Sequence, residues 1–166
     1  MAEVVNYPKK LNISDLNINR SDDRSIFSLF FSGENFTVWI KSIPENVNVI
    51  DQIREGIPKQ AIDNVLEKTG VSKTQLSNIL HISTRQLNRY EKDDRLSPEQ
   101  SNFLYEFTRI YVRALDILGD GETADKWLMR PNMALGDKQP IELLDTGEGL
   151  RMVDDLLAQI EYGFYS

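Results

Sequence analysis

The sequence has 166 residues, and its 19 Lys and Arg against 26 Asp and Glu give a formal net charge of −7. It contains no Cys and one His, which excludes a thiol nucleophile, a disulfide and a Cys- or His-rich metal site, and we predict no cofactor. The acidic balance also excludes a protein that coats nucleic acid with its whole surface.

The charge is uneven along the chain. Residues 1–53 carry −2, residues 54–100 carry +1 and residues 101–166 carry −6, so the acidity lies mainly in the last third. The apolar runs are far shorter than the roughly 20 residues that span a bilayer, and the N-terminus lacks the order of a signal peptide. We therefore expect a cytoplasmic protein with no membrane partner.

Residues 1–53 form an N-terminal extension for which two structures fit. Two apolar runs, residues 26–31 and residues 36–41, flank a turn that contains Gly33. This pattern predicts a short β-hairpin. A helix that begins at Ser21 and ends at Gly33 fits the first run nearly as well, and both interpretations stay open.

The middle of the chain repeats one helix-start signal three times. Ser72, Ser83 and Ser97 are each followed three residues later by Gln, so the two side chains can cap the backbone amides at the start of a helix. An earlier helix starts near Pro58, and we expect Gly70 to close it in a left-handed conformation.

Two of these starts have the spacing of a helix-turn-helix within a domain of residues 54–96. The pattern predicts a helix over residues 72–80, a turn at residues 81–83 and a second helix over residues 84–91. His81 takes the turn position that often holds Gly, which predicts a left-handed backbone there. The apolar residues expected between the two helices are Leu76, Ile79, Leu80, Ile82, Leu87 and Tyr90.

The outer face of the second helix has the side chains of a DNA-reading surface. Arg can bond guanine in two places, Gln or Asn can do the same for adenine, and Thr can contact a phosphate or a thymine methyl. A helical hairpin with solvated polar groups is the alternative. One short recognition helix reads few base pairs, so we expect a homodimer on paired half-sites of operator DNA. The predicted DNA contacts are Lys73, Thr84, Arg85, Gln86, Asn88 and Arg89.

Residues 97–166 are predicted to form a small all-helical domain. Their apolar residues repeat at helical spacing, and most of the pieces are too short to be stable alone, so they must share one core. The predicted fold is therefore mainly α. The expected helices cover residues 98–118, 122–129, 140–144 and 148–162.

Single residues of this domain also carry expectations. Trp127 is expected in the core, because Trp is usually largely buried. Asn132 has two interpretations, as the cap of a short helix or as a partner contact. Pro131, Gly136 and Gly149 are expected to hold backbone turns.

The order of residues in this stretch resembles the toxin-binding domain of the Xre/MbcA/ParS-type antitoxins. The resemblance extends upstream through the helix-turn-helix and covers about residues 54–166, and several Trp, Pro and Gly positions match in order. The matching positions are Ala124, Trp127-Leu128, Pro131-Asn132, Ala134-Leu135-Gly136, Pro140 to Leu144, Thr146, Gly149 and Tyr162-Gly163.

This resemblance implies the antitoxin of a type II toxin–antitoxin system. It implies a RES-domain toxin that consumes NAD and whose active-site entrance the C-terminal domain covers in a hetero-oligomer, while the helix-turn-helix represses the shared operon. The alternative is a stand-alone dimeric transcriptional regulator; an enzyme is not expected, because no set of catalytic groups is present. The toxin contacts that the resemblance implies are Asn132, Leu135, Gly136, Tyr162 and Gly163, to which we add Phe164 and Tyr165 as an aromatic end.

Overall fold

The computed structural model describes residues 49–163, which form seven α-helices and two 3₁₀ helices. The expected mainly α fold, with a helix-turn-helix followed by a helical domain, is confirmed. The hairpin or helix expected in the N-terminal extension lies outside the described residues. The helices are α1 Val49–Glu55, α2 Gln60–Lys68, α3 Lys73–Ile79, α4 Thr84–Leu87, α5 Pro98–Leu118, α6 Gly121–Met129 and α7 Gly147–Glu161, with 3₁₀ helices at Met133–Leu135 and Pro140–Leu143.

The starts of five helices are set by their own local sequence. At Ser72, Ser83 and Ser97 the hydroxyl accepts the amide of the Gln three residues on, and the Gln side chain accepts the Ser amide in return. Asp120 and Thr146 cap α6 and α7 with a single bond from the third amide of each helix. The three predicted Ser caps are thus confirmed.

Two predicted helix ends are wrong. Helix α2 ends at Lys68, because the amide and the hydroxyl of Thr69 both bond the carbonyl of Val65 and the chain then turns extended. Gly70 is therefore not a left-handed helix end. Its amide instead donates to Asp125, and a Cβ at Gly70 would lie only 2.8 Å from that carboxylate.

Helix α4 is shorter than the predicted helix over residues 84–91. After Leu87 the amides of Arg89 and Tyr90 bond carbonyls three residues back, which tightens the chain beyond the α-helical repeat. The amide of Glu91 then donates to the Asp94 carboxylate at 2.8 Å. This bond lies four residues beyond the last residue of α4 and holds the chain in a turn instead of a continued helix.

Helix α5 contacts both the helix-turn-helix half of the chain and the C-terminal half. It packs against α1 and α3 on one side and against α6 and α7 on the other. The Ser101 hydroxyl accepts the buried amide of Ile57 at 2.9 Å, and Arg113 binds Asp154 at 2.6 Å and Glu161 at 3.1 Å. The largest fully buried side chains around it include Ile57, Leu76, Leu80, Leu104, Phe107 and Tyr111.

A buried carboxylate joins the helix-turn-helix half to the C-terminal half. Asp125 in α6 is 8% exposed and accepts hydrogen bonds from the Tyr111 hydroxyl at 2.9 Å and from the Gly70 amide at 3.0 Å. Burial raises the pKa of Asp125, and the two bonds oppose this only in part. Burial and the neighbouring Asp125 charge also raise the pKa of Tyr111. Asp125 and Tyr111 thus hold α5, α6 and the segment at Gly70 together, although keeping a carboxylate charge in this buried place costs free energy.

We expect Asp125→Asn to be at least as stable as the wild type at neutral pH. The amide oxygen can accept from Gly70, its NH₂ can donate to the Tyr111 hydroxyl, and no charge is buried. Because the folded pKa is raised, the carboxyl contributes stability that is fully present below its ordinary value of 3.8 and is lost as the pH rises through the folded value. The free energy of unfolding of the wild type should therefore increase relative to that of the variant as the pH falls, as measured by urea unfolding from pH 8 to pH 4.

The wild type and Asp125→Asn share all their other carboxyl groups, so the contributions of those groups cancel in the difference between the two stabilities. Asp125→Ala serves as the contrasting variant, since it strands two buried donors and should lose roughly 2 kcal/mol or more at every pH. A stability difference between wild type and Asp125→Asn that does not change with pH would contradict the assignment.

Candidate functional site

Helices α3 and α4 and the turn between them form the helix-turn-helix. Five of the six predicted seam residues are buried, and Tyr90 is half-buried. His81 has φ of 55°, so the left-handed turn expected there is confirmed. The amide of Ile82 donates to the Ser77 carbonyl and fixes the turn. The arrangement leaves one side of α4 free of the core.

All six predicted DNA contacts are exposed, but they are not equally available. The Gln86 side-chain oxygen accepts from Ser83, and the Asn88 oxygen accepts from the Lys73 ammonium, so these three polar groups stabilise the motif itself. The guanidinium groups of Arg85 and Arg89 form no hydrogen bond or ion pair with the rest of residues 49–163. Thr84 is exposed in the first turn of α4. Arg85 and Arg89 are thus the cations that remain free for a ligand.

The loop after α6 exposes Met133, which is not among the predicted toxin contacts. Asn132 caps the 3₁₀ helix Met133–Leu135 by accepting the Ala134 amide at 2.9 Å, and Gly136 ends it with φ of 67°. The expected cap and the turn at Gly136 are both observed. Leu135, predicted as a toxin contact, is only 5% exposed and packs in the core, whereas Met133 is 86% exposed. Sequence pattern alone does not separate these two apolar neighbours.

The other predicted partner contacts lie at the end of α7. Tyr162 is 70% exposed, and Gly163 follows with φ of 70°. Phe164 and Tyr165 lie outside the described residues. An exposed aromatic side chain at this place is available to a partner protein.

Two further expectations for this domain change in the structure. Trp127 is half-buried against the core rather than enclosed by it. Gly149 does not hold a turn, since it lies in the first turn of α7. A Cβ there would lie 1.8 Å from the Leu143 carbonyl oxygen, so the missing side chain of Gly149 allows α7 and the second 3₁₀ helix to pack closely.

The two halves also touch through the turn of the helix-turn-helix. The His81 Nε2 lies 2.6 Å from the Asp145 carbonyl oxygen, and the imidazole packs on Phe103 of α5 with ring centroids 4.9 Å apart. A cleft of about 590 Å³ lies beside this contact. Its walls come from α3, the turn and the second 3₁₀ helix, and include Asn78, Ser83, Gln139 and Glu142.

Residues 49–163 contain no group of three or more His, Cys, Asp or Glu side chains arranged to hold a metal ion. No helix in the same range has the length and the apolarity needed to cross a bilayer. The described part of the chain has exposed cations in and just after α4, and exposed apolar side chains at Met133 and Tyr162.

The fold and these surfaces define a helix-turn-helix protein with an attached helical domain. Residues 49–109 match the antitoxin Xre-like helix-turn-helix domain, and residues 113–163 match the antitoxin Xre/MbcA/ParS C-terminal toxin-binding domain. Antitoxin Xre of Yersinia enterocolitica is 31% identical over 120 residues, which are 71% of this chain and 81% of the relative. The chain belongs to the Xre antitoxin family.

Three further proteins are similar to this chain. Antitoxin Xre of Pseudomonas putida is 22% identical over 125 residues, 75% of this chain and 78% of that protein. The Prs ADP-ribosylating antitoxin of a Sphingobium species is 28% identical over 130 residues, 72% and 82% of the two chains. In the crystal structure of the Mycobacterium tuberculosis MbcT–MbcA toxin–antitoxin complex, one chain matches at 22% identity and a TM-score of 0.49, over 72% of this chain and 100% of that one.

Proposed function

We propose that this antitoxin neutralises a RES-domain toxin by covering its active-site entrance and represses its own operon through the helix-turn-helix. The observation that carries the proposal is the separation of two exposed surfaces on one chain. Unpaired guanidinium groups lie in α4 at Arg85 and just after it at Arg89, and the exposed Met133 lies in the domain of the toxin-binding family. The two activities thus use different residues.

The DNA-binding part is supported by the chemistry of α4. Arg85 and Arg89 are exposed and unpaired within the described chain, and an Arg guanidinium can bond a guanine edge in two places. Both capping bonds of Ser83 fix the start of the helix, so these side chains extend from a defined backbone. We propose that a homodimer reads paired half-sites in the promoter of the antitoxin's own operon.

The toxin-binding part is supported by exposed apolar side chains on an acidic domain. Residues 101–166 carry a charge of −6, which would steer the antitoxin toward a basic toxin surface and away from DNA phosphates. Met133 and Tyr162 are anchors that a partner can enclose. One relative has ADP-ribosylation in its name, a reaction that consumes NAD, and this supports a toxin that uses NAD.

The direct test combines two binding measurements on the full chain. The first is co-purification with the product of the neighbouring gene, followed by titration of that protein's NAD consumption with the antitoxin. The second is a mobility shift of the operon's promoter at increasing salt, which should weaken binding steeply. Promoter binding without any neighbouring toxin would favour the stand-alone regulator instead.

We expect Met133→Asp to weaken toxin binding by about tenfold or more. An apolar side chain that the toxin would enclose in the complex is replaced by a charge that would lose its water there. The folded antitoxin should keep its stability, since Met133 is 86% exposed. Calorimetric titration of the toxin measures the affinity, and thermal unfolding measures the stability.

Ile50→Asp is the matched control for this variant. Ile50 is also an exposed apolar side chain, at 50%, but it lies on α1 next to the helix-turn-helix half. We expect it to leave toxin affinity within about twofold. Equal losses in the two variants would remove Met133 from the proposed contact.

A further inference from the structure

We infer that the cleft of about 590 Å³ between the helix-turn-helix and the second 3₁₀ helix binds a small aliphatic diamine. This site is separate from both proposed interaction surfaces, and a diamine would bind there without toxin or promoter. The volume of the cleft, its negative charge, its apolar side chains and a buried hydroxyl group without a partner all point to this class of ligand.

The cleft has the size of a small-molecule site. Pockets for small ligands commonly have volumes of about 300 to 1,000 Å³, and the volume of about 590 Å³ lies within this range. One wall is the C-terminal part of α3 with the turn after it. The other wall is the second 3₁₀ helix with the residues on either side of it. A ligand in the cleft would therefore contact both halves of the chain.

The cleft is acidic. Glu142 and Asp145 line it, and neither carboxylate forms an ion pair with the rest of residues 49–163. Side chains three residues apart on a 3₁₀ helix project from the same side, and Asp145 lies in the turn that continues this helix. No described Lys or Arg lines the cleft, and His81 is the one lining residue that can carry a positive charge. The cleft therefore favours a cationic ligand.

A buried hydroxyl group without a partner indicates a ligand at the same place. Ser77 lines the cleft and is 2% exposed, and its Oγ has no hydrogen-bond partner within residues 49–163. A helical Ser often donates its hydroxyl to the carbonyl four residues back, which belongs to Lys73, and that bond is not formed here. An unpaired buried polar group costs free energy. A ligand that donates to the Ser77 hydroxyl would remove this cost.

The other lining groups define the ligand as ammonium groups on an apolar chain. An ammonium has three donors and no acceptor, so it suits a wall of oxygen acceptors. The exposed Asn78 side chain forms no hydrogen bond with the described residues, and its oxygen is a further acceptor. Ile79, Ile82 and Ile141 supply apolar surface for methylene groups. A diamine brings one ammonium for each carboxylate and a methylene chain for the isoleucines.

The test is calorimetric titration of the full chain with putrescine, which has four methylenes between two ammonium groups. We expect saturable binding at one site with a Kd of about 1 mM or lower. The buffer contains MgCl₂, which occupies any site that accepts divalent cations in general. Butanediol has the same chain length and no charge, and it should not bind measurably.

Ser77→Ala distinguishes a ligand-binding hydroxyl from a structural one. The wild-type hydroxyl makes no hydrogen bond that the variant would lose, and Ala favours a helix over Ser. The variant should therefore be at least as stable as the wild type in thermal unfolding. Its Kd for putrescine should still rise by about threefold or more, because one hydrogen bond to the ligand is lost. A structural hydroxyl would lower the Tm and leave the Kd unchanged.

Glu142→Gln combined with Asp145→Asn tests the charge of the cleft. The new amide oxygen at position 142 can still accept the Gln139 amide, so the 3₁₀ helix keeps its cap. We expect the Kd to rise by about fivefold or more, because two ion pairs with the ligand are lost. Glu91→Gln combined with Asp93→Asn is the matched control, since it removes the same charge from exposed positions outside the cleft. The control should keep the Kd within about twofold of the wild type.

Each contrary result overturns the diamine site and leaves the proposed function untouched. These results are no saturable binding of putrescine to the wild type, an equal affinity for butanediol, or an unchanged Kd in Ser77→Ala. Tighter binding of N-acetyl-lysine amide than of putrescine would also overturn the site, because it would assign the cleft to a Lys side chain of a protein. If the carboxylate variant does not fold, Ser77→Ala, which removes a single oxygen atom, decides alone.

Discussion

Gly149→Ala is expected to disrupt the packing of the C-terminal domain and with it toxin binding. The new Cβ would lie 1.8 Å from the Leu143 carbonyl oxygen and 2.9 Å from the Thr146 hydroxyl. Because the first of these atoms is backbone, relief requires α7 or the second 3₁₀ helix to move. We expect a loss of about 3 kcal/mol or more, seen as a fall in Tm of roughly 10 °C.

Gly147→Ala provides the matched control in the same turn of α7. A Cβ at Gly147 would meet nothing within 4 Å, and Ala favours a helix over Gly by up to about 1 kcal/mol. This variant should be as stable as the wild type or slightly more so. Two variants with the same Tm in thermal unfolding would show that the close approach at Gly149 does not limit the packing.

Arg85→Ala combined with Arg89→Ala is expected to abolish specific promoter binding while toxin binding stays intact. Each direct base contact is worth about 1 to 3 kcal/mol, or about 5- to 150-fold in affinity. Neither guanidinium forms a hydrogen bond or ion pair with another described residue, so the loss should come without a change in Tm. Anisotropy titrations of the promoter against a scrambled fragment measure the specific part.

Arg151→Ala controls for the removal of one positive charge. Arg151 is exposed on α7 and is paired with Glu148 and Asp155. We expect promoter affinity within about twofold of the wild type. If the Arg85 and Arg89 variant keeps wild-type affinity, α4 is not the DNA-reading helix.

The sequence predicts where helices start better than where they end. The caps at Ser72, Ser83 and Ser97 are made by side chains within three residues, so the signal and the structure lie in the same short window. The predicted helix over residues 84–91 includes Glu91, whose amide bonds the Asp94 carboxylate in a turn instead. Helix ends thus depend on competing side chains farther along the chain.

Contacts between distant residues explain what the sequence missed in the candidate site. The bond from His81 to Asp145 joins residues 64 positions apart, and no local pattern contains it. Leu135 and Met133 are both apolar, yet one fills the core and the other lies almost fully exposed. Only the packing of the whole domain decides which of them a partner can contact. The sequence did identify the outer side of α4, because the apolar seam from Leu76 to Tyr90 lies within fifteen residues.

Helix α5 has a consequence for how the protein can be divided. The two family matches end at residue 109 and begin at residue 113, and both positions lie inside the unbroken helix Pro98–Leu118. A truncation between them would cut hydrogen bonds in the middle of a helix and expose apolar surface on both fragments. The two halves should therefore unfold, and be degraded, together. A cell that removes the antitoxin by proteolysis would lose both proposed activities in a single event.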